Sequence, residues 1–225
     1  INVEARYEFN DNNYLVSLSN FSTLDREHYF NSDGSPASLG EGNQNVGTDT
    51  FSQELRLHQE IGDIYVISGL YILNETLKQD NRFDLLRDFR AVEGLFSNAV
   101  TFLYDNTIKI KSSALFAHIE YPLSEQTTFS AGLRYSDEST DYNAIGQINI
   151  ATFANDQTGL TIPGWDASGN IDDNNLSGKI ALLHKLSDKH SGFVSFSRGF
   201  KSGSYTGALI SSAQEAQNDD YGTKI

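Results

Sequence analysis

The sequence predicts an all-β fold: an antiparallel up-and-down meander of about eight long strands, part of a larger transmembrane β-barrel, with long loops at one end. The first observation behind this is Thr48 to Leu77, which reads as two long strands joined at a tight turn. Phe51, Gln53, Leu55 and Leu57 share one parity, and Ser52, Glu54, Arg56 and His58 share the other. A period of two gives one greasy face and one polar, charged face. The second observation is length. Soluble strands usually run about five or six residues, and these are about twice that, the length a tilted strand needs to cross a bilayer. The third is a strict alternation of short turns with long connections along the chain.

Taken in order, Asn2 to Phe9 alternates loosely, with Val3, Ala5, Tyr7 and Phe9 opposed to Glu4, Arg6 and Glu8. Asn10-Asp11-Asn12-Asn13 is a turn cluster, and Tyr14 to Leu24 resumes as a strand. Asp25 to Val46 is polar and rich in Gly, Ser and Asn, and is expected to be a long loop. In the hairpin that follows, Glu60-Ile61-Gly62-Asp63 reverses the chain, with Gly62 available for a positive φ. Lys78 to Asn106 is expected to be a second long excursion. Within it Phe83, Leu86, Phe89 and Val92 fall at helical spacing among charged residues, which predicts a short amphipathic helix over Asn81 to Leu95.

Ile108 to Leu123 and Thr127 to Tyr142 form the next pair of strands, about a short turn at Pro122 to Gln126. The second is the cleanest alternation in the chain: Phe129, Ala131, Leu133 and Tyr135 against Ser130, Gly132, Arg134 and Ser136. Ala144 to Asp173 is expected to be a third long loop, holding the only tryptophan, Trp165. Leu176 to Leu186, a turn at Ser187-Asp188-Lys189-His190, and a strand from Gly192 to Tyr205 complete the series. Arg198 interrupts the apolar parity of Val194, Phe196 and Phe200, and a bulge there would restore it. Short turns near Asp11, Gly62, Ser124 and Asp188 thus alternate with long connections. A barrel with periplasmic turns and extended external loops has this order, and a Greek-key sandwich rarely does.

Composition agrees. The chain has 225 residues, a formal charge of −14, 14 Phe and 11 Tyr. Mean hydropathy is −0.41, and no uncharged apolar run approaches the roughly 18 residues that a spanning helix requires. Barrels give a weak hydropathy signal and place aromatic girdles at both interfaces; an ordinary β-rich core also favours aromatics. Cysteine is absent, which excludes disulfides and thiolate metal sites. Methionine is absent and Ile1 begins inside a strand pattern, so we expect an internal piece of a longer chain. The acidic balance disfavours nucleic acid as a partner and simple electrostatic docking to an anionic membrane surface.

Two stretches carry a family resemblance. Phe51-Ser52-Gln53-Glu54-Leu55-Arg56-Leu57 resembles the strand signature F-x-Q-E-L-R-L of TonB-dependent outer-membrane receptors, and Ser197-Arg198-Gly199-Phe200-Lys201-Ser202-Gly203 resembles their S-x-G-F-K-x-G strand end. Ser130 to Tyr135 is similar to another of their barrel strands. Family members carry an N-terminal plug inside a barrel of about 22 strands. The resemblance therefore implies a partial barrel domain over residues 1–225, without plug, energy-coupling box or last strands. It implies active uptake of a scarce nutrient, of siderophore, vitamin or carbohydrate type, through a plugged barrel in the outer membrane of a Gram-negative bacterium. The partners it implies are the TonB energy-coupling complex by way of the missing plug, outer-membrane lipid and lipopolysaccharide, and a small-molecule substrate. A passive porin-like channel and a surface β-sheet adhesin are the alternatives.

Enzymatic motifs are lacking. The five histidines are scattered, without the pairing of a zinc site, and no nucleophile elbow, P-loop or dinucleotide fingerprint occurs. No catalytic residue, metal ligand or cofactor is expected. Asp172-Asp173, Asp219-Asp220 and the Asp137-Glu138…Asp141 run lack the spacing of a calcium loop and read as solvated charge. Glu54, Arg56 and His58 share a face, which in a barrel is the lumen, and Glu120 and Arg134 are expected there too, as a possible pair across their hairpin. Two readings stand for such residues: contact with a plug or substrate path, or a charge network of the wall. The substrate-binding candidates are Arg87, Arg90, Tyr104 and Trp165, all in expected loops: Arg for carboxylate or phosphate, aromatics for stacking. Packing the loops together is the other reading of all four. Lys201 would touch lipopolysaccharide phosphate or snorkel to water.

Overall fold

The computed structural model describes residues 1–37, 39–85, 87–88, 98–152 and 155–205. Eight antiparallel strands follow one another in a single sheet in sequence order. They are β1 (Asn2–Asn10), β2 (Asn13–Asn31), β3 (Gly40–Ile61), β4 (Ile64–Leu85), β5 (Asn98–Ser124), β6 (Thr127–Thr152), β7 (Asn155–Ser187) and β8 (His190–Arg198). Tight turns at Asp11-Asn12, Gly62-Asp63, Glu125-Gln126 and Asp188-Lys189 close every hairpin at one end. Gly62 sits at φ +63°, a region that a Cβ disfavours.

The register sorts the side chains into two faces. Leu57 lies opposite Leu15 and Ser68, and Leu70 opposite Leu55 and Leu115. Leu115 in turn faces Tyr135, which faces Leu176. This face is apolar and open: Leu115 is 57%, Leu133 60% and Phe196 73% exposed. The other face is the more covered one, and carries Val16, Tyr104, Ile108, Ala114, Tyr142, Ala144 and Ala167, all buried. One-sided burial in a single sheet means that it curls, with the polar rows on the concave side. Among the described residues no second layer packs on the greasy rows, as a soluble sandwich would require.

The apolar window is staggered. Phe51 on β3 is in register with Asn74 on β4, and Asn74 with Lys111 on β5. The window spans Phe51–Leu57 on β3 but Leu115–Tyr121 on β5, nearer the turns. Strands tilted to a membrane plane, as barrel closure requires, produce this drift. Beyond the window the strands run on toward the long connections as a polar extension.

Several expectations about that extension are corrected. The loops expected at Asp25–Val46, Lys78–Asn106 and Ala144–Asp173 are largely strand, since β2 reaches Asn31, β4 Leu85, β5 starts at Asn98 and β6–β7 leave only a short connection. The first third of the expected helix, Asn81 to Leu85, is ladder, paired with residues 100–104; the rest lies outside the described residues apart from Arg87 and Asp88. Backbone hydrogen bonds, satisfied in pairs across the ladder, hold a polar strand without help from an apolar face. The bulge expected at Arg198 does not form. The ladder ends there, at Gly178↔Arg198, and residues 199–205 leave the sheet. A bulge does occur at Gly164: Trp165 pairs with Gly146 and Pro163 with Gln147.

Candidate functional site

The concave face carries the chemistry. Near the turns, Arg6 lies over the Tyr14 ring, 3.9 Å from its centroid. Tyr14 stacks on His58 at 4.4 Å, and His58 Nδ1 is 2.7 Å from the Tyr65 hydroxyl. The series crosses β1 to β4 because Tyr14 is in register with His58, one row from Arg6 and from Tyr65. Arg56 pairs with Glu54 along the same strand. Further round, Arg134 lies 5.1 Å from the Tyr71 ring centroid and 5.9 Å from that of Phe116, and donates to Ser136 Oγ at 3.1 Å.

The register therefore puts Glu54, Arg56, His58, Glu120 and Arg134 on one face. The expected pairing of Glu120 with Arg134 is absent. Glu120 lies opposite Ser130 and Arg134 opposite Phe116, while Glu120 contacts His118 Nε2 at 3.2 Å. Sequence reasoning missed Arg6, Tyr14, Tyr65 and Tyr71. The aromatics look like core residues in the sequence, and only register brings them beside charge.

Farther from the turns, an aromatic cluster fills the concave side. The Tyr104 and Tyr142 hydroxyls are 2.6 Å apart, and each residue is 1% exposed. Trp165 lies 5.5 Å from Tyr104, and Tyr205 stacks on Tyr142 at 4.5 Å. A Cβ on Gly146 would run into the Trp165 ring, so the glycine is the seat of the indole. Residues 199–205 fold back over this wall. The Gly203 amide donates to Asp173 Oδ2 at 2.9 Å, and Phe200 and Lys201 face Arg134 and Glu138 across a cavity of about 310 Å³.

Of the substrate-binding candidates, Tyr104 and Trp165 stand on β5 and β7 rather than in loops, and they meet each other. Arg87, past the end of β4, pairs with Asp84 at 2.9 Å and reaches Glu41 at 3.8 Å. Arg90 lies outside the described residues. The acidic groups at this end differ. Burial works against the charge of Asp84, yet hydrogen bonds from Arg82 and Thr101 and the charges of Arg82 and Arg87 outweigh it and hold its carboxyl below the usual value. Asp105 is raised, by desolvation and by Asp80 directly opposite. Among the described residues no cluster of His, Asp and Glu suits a metal ion.

Comparison with known proteins fits this wall. A sequence search of curated proteins found no match. The ferric yersiniabactin uptake receptor FyuA from Yersinia pestis has a similar structure, with TM-score 0.70 at 15% identity, over 92% of this chain and 28% of that one. This chain thus spans under a third of that receptor's length. The family model described as TonB dependent receptor-like, beta-barrel matches residues 1–223. With a family match over nearly its whole length, on a sheet of long meandering strands, the chain belongs to the TonB-dependent receptor β-barrel family.

Proposed function

We propose that this chain is part of the wall of a plugged outer-membrane barrel that takes up a scarce small-molecule nutrient. One observation carries the reading: an exposed apolar face, staggered as in tilted strands, is backed by a concave face of charge and tyrosine. The exposed rows suit hydrocarbon, and the concave rows suit a wet or plugged interior. Arg6, Glu54, Arg56, His58, Glu120 and Arg134 then line the lumen, where a plug domain would rest against them. Energy would reach the plug from the TonB complex of the inner membrane. A ferric chelate is the leading substrate class, because FyuA, by its name, takes up ferric yersiniabactin.

The test is iron-limited growth on a panel of ferric chelates, with and without the gene that encodes this chain. Loss of uptake of one chelate, abolished equally by a protonophore, is the expected result. Uptake that persists when the proton gradient is collapsed would identify a passive channel and overturn the reading.

A further inference from the structure

Past Arg198 the chain leaves the β7–β8 ladder but keeps its register. Extending the pairing Gly178↔Arg198 sets Phe200 opposite Leu176, Lys201 opposite Asn175, Gly203 opposite Asp173 and Tyr205 opposite Ile171. One of these pairs already meets, through a side chain. The Gly203 amide donates to Asp173 Oδ2 at 2.9 Å, and a Cβ on Gly203 would touch Ile171, the next concave residue of β7, at 3.3 Å. Among the described residues no backbone hydrogen bond joins residues 199–205 to β7. The segment thus lies on the concave side chains of β7, beside the edge that its backbone matches. From Ser177 back to Asn155 that edge has no ladder partner among the described residues.

In the extended register every residue falls on a suitable face. Phe200 shares the parity of Val194 and Phe196 and would lengthen the exposed row Leu115, Tyr135 and Leu176. Ser202 and Ser204 would lie opposite Asn174 and Asp172, in polar rows. Lys201 would bring a donor to Asn175, which is 6% exposed and whose Oδ1 is buried without a hydrogen-bond partner among the described residues. Tyr205 stays on the concave face in either position, where it stacks on Tyr142 and covers Gly169. In the observed position Phe200 is instead half-buried over the cavity of about 310 Å³ that Ile110, Arg134, Glu138 and Thr140 help to line.

We infer that residues 199–205 are a lid with two positions in one register. In the position observed they close over the cavity at Arg134 and Glu138. In the other they extend β8 along β7 and open that cavity to the lumen. The change is a sideways step of about one strand spacing, roughly 4.8 Å, between fixed ends at Arg198 and Tyr205. Extension gains ladder hydrogen bonds and a partner for Asn175, because unpaired backbone and buried amide groups are costly. Closure keeps Gly203 on Asp173 and Phe200 off the outer face. An occupant of the lumen beside Arg134 competes with the closed lid and shifts the balance toward extension. The inference rests on reading the concave face as the lumen.

The test uses the whole receptor that carries this chain, in lipid nanodiscs. Phe200→Cys is combined with Leu176→Cys to trap the extended position, or with Ile110→Cys to trap the closed one, using a short thiol cross-linker. Both pairs are expected to link. Asp173→Ala removes the acceptor that holds Gly203, and should shift the ratio of the two linking rates roughly tenfold toward 176–200. Carbodiimide coupling of a bulky amine to Glu138, read on its peptide by mass spectrometry, should be faster in the 176–200 linked form than in the 110–200 form. Linking of only one pair, an unchanged ratio in Asp173→Ala, or equal coupling of Glu138 would overturn the lid. Hydrogen exchange on the wild type decides the matter if a cysteine pair does not fold. Amides of residues 199–205 should exchange more slowly than in a free peptide and faster than those of Phe193 to Ser197. Exchange as slow as in β8 would mean a fixed strand, and exchange as fast as in the peptide a fixed lid; either overturns the inference. Chelate uptake by cells carrying the wild type tests the wall reading separately.

Discussion

At the scale of single residues, the concave wall is held by contacts that side-chain volume and charge decide. Trp165 lies where Gly146 has no Cβ. Gly146→Ala should therefore destabilise the folded receptor by about 1–3 kcal/mol, the usual result of overpacking, measured by reversible urea unfolding in lipid vesicles. Asp84 and Asp105 make a second test, with opposite signs. Asp84, held low, stabilises the fold above the usual carboxylate range, and that contribution is lost as pH falls through its folded value. Asp105, held high, contributes when protonated, and its contribution is lost as pH rises through its folded value. Asp84→Asn should thus destabilise at neutral pH by about 1–3 kcal/mol, through lost charge-assisted hydrogen bonds, with the deficit closing in acid. Asp105→Asn should stabilise at neutral pH, with the gain vanishing in acid. Unfolding midpoints at neutral and acid pH, compared with wild type, check both.

At the scale of elements, each strand is two strips with different solvents, and β5 displays this best. Leu115, Ala117, Ile119 and Tyr121 are exposed on the apolar side, and Phe116 and His118 are half-covered on the other. Leu115→Arg should cost about 2–4 kcal/mol, the depth-dependent penalty for charge on a lipid face. His118→Arg, one face away, should stay within about 0.5 kcal/mol. Folding of both variants into vesicles across a urea series separates them; equal costs would contradict the assignment of faces. Strand positions in this window were legible because apolar and polar residues alternate there. Above it the outer face turns polar and the apolar residues, Tyr104, Ile108, Tyr142 and Ala144 among them, lie on the concave face among polar neighbours, so nothing in the residue order marks strand from loop. That is why Tyr104 and Trp165 were expected in loops, and why Phe83 and its neighbours mimicked a helix.

At the scale of the whole molecule, the tight turns gather at one end, and the β2–β3, β4–β5 and β6–β7 connections, the first two of them longer, lie at the other. A peptide tag inserted between Gly34 and Ser35 should be labelled by antibody on intact cells. The same tag between Asp188 and Lys189 should be labelled only after the outer membrane is opened. The reverse result would invert the proposed orientation. Produced alone, the chain has an unpaired edge at β1 and another at β8 and bares its apolar rows to water, so it should aggregate in plain buffer. A cooperative, monomeric unfolding transition of the isolated chain without detergent would contradict this.

Residue order by itself determined the strand class, the turns and the two faces within the window, because a period of two with Gly- and Asn-rich reversals is a local property that needs no partner to be read. It also carried the family signature in Phe51 to Leu57. Tertiary structure alone decided which residues meet. Register set Arg134 opposite Phe116 rather than Glu120, stacked Tyr14 on His58, and gathered Tyr104, Tyr142, Trp165 and Tyr205 from separate strands and the segment after β8. The reach of the strands beyond the apolar window was likewise decided there, because paired backbone hydrogen bonds extend a ladder whatever its side chains are.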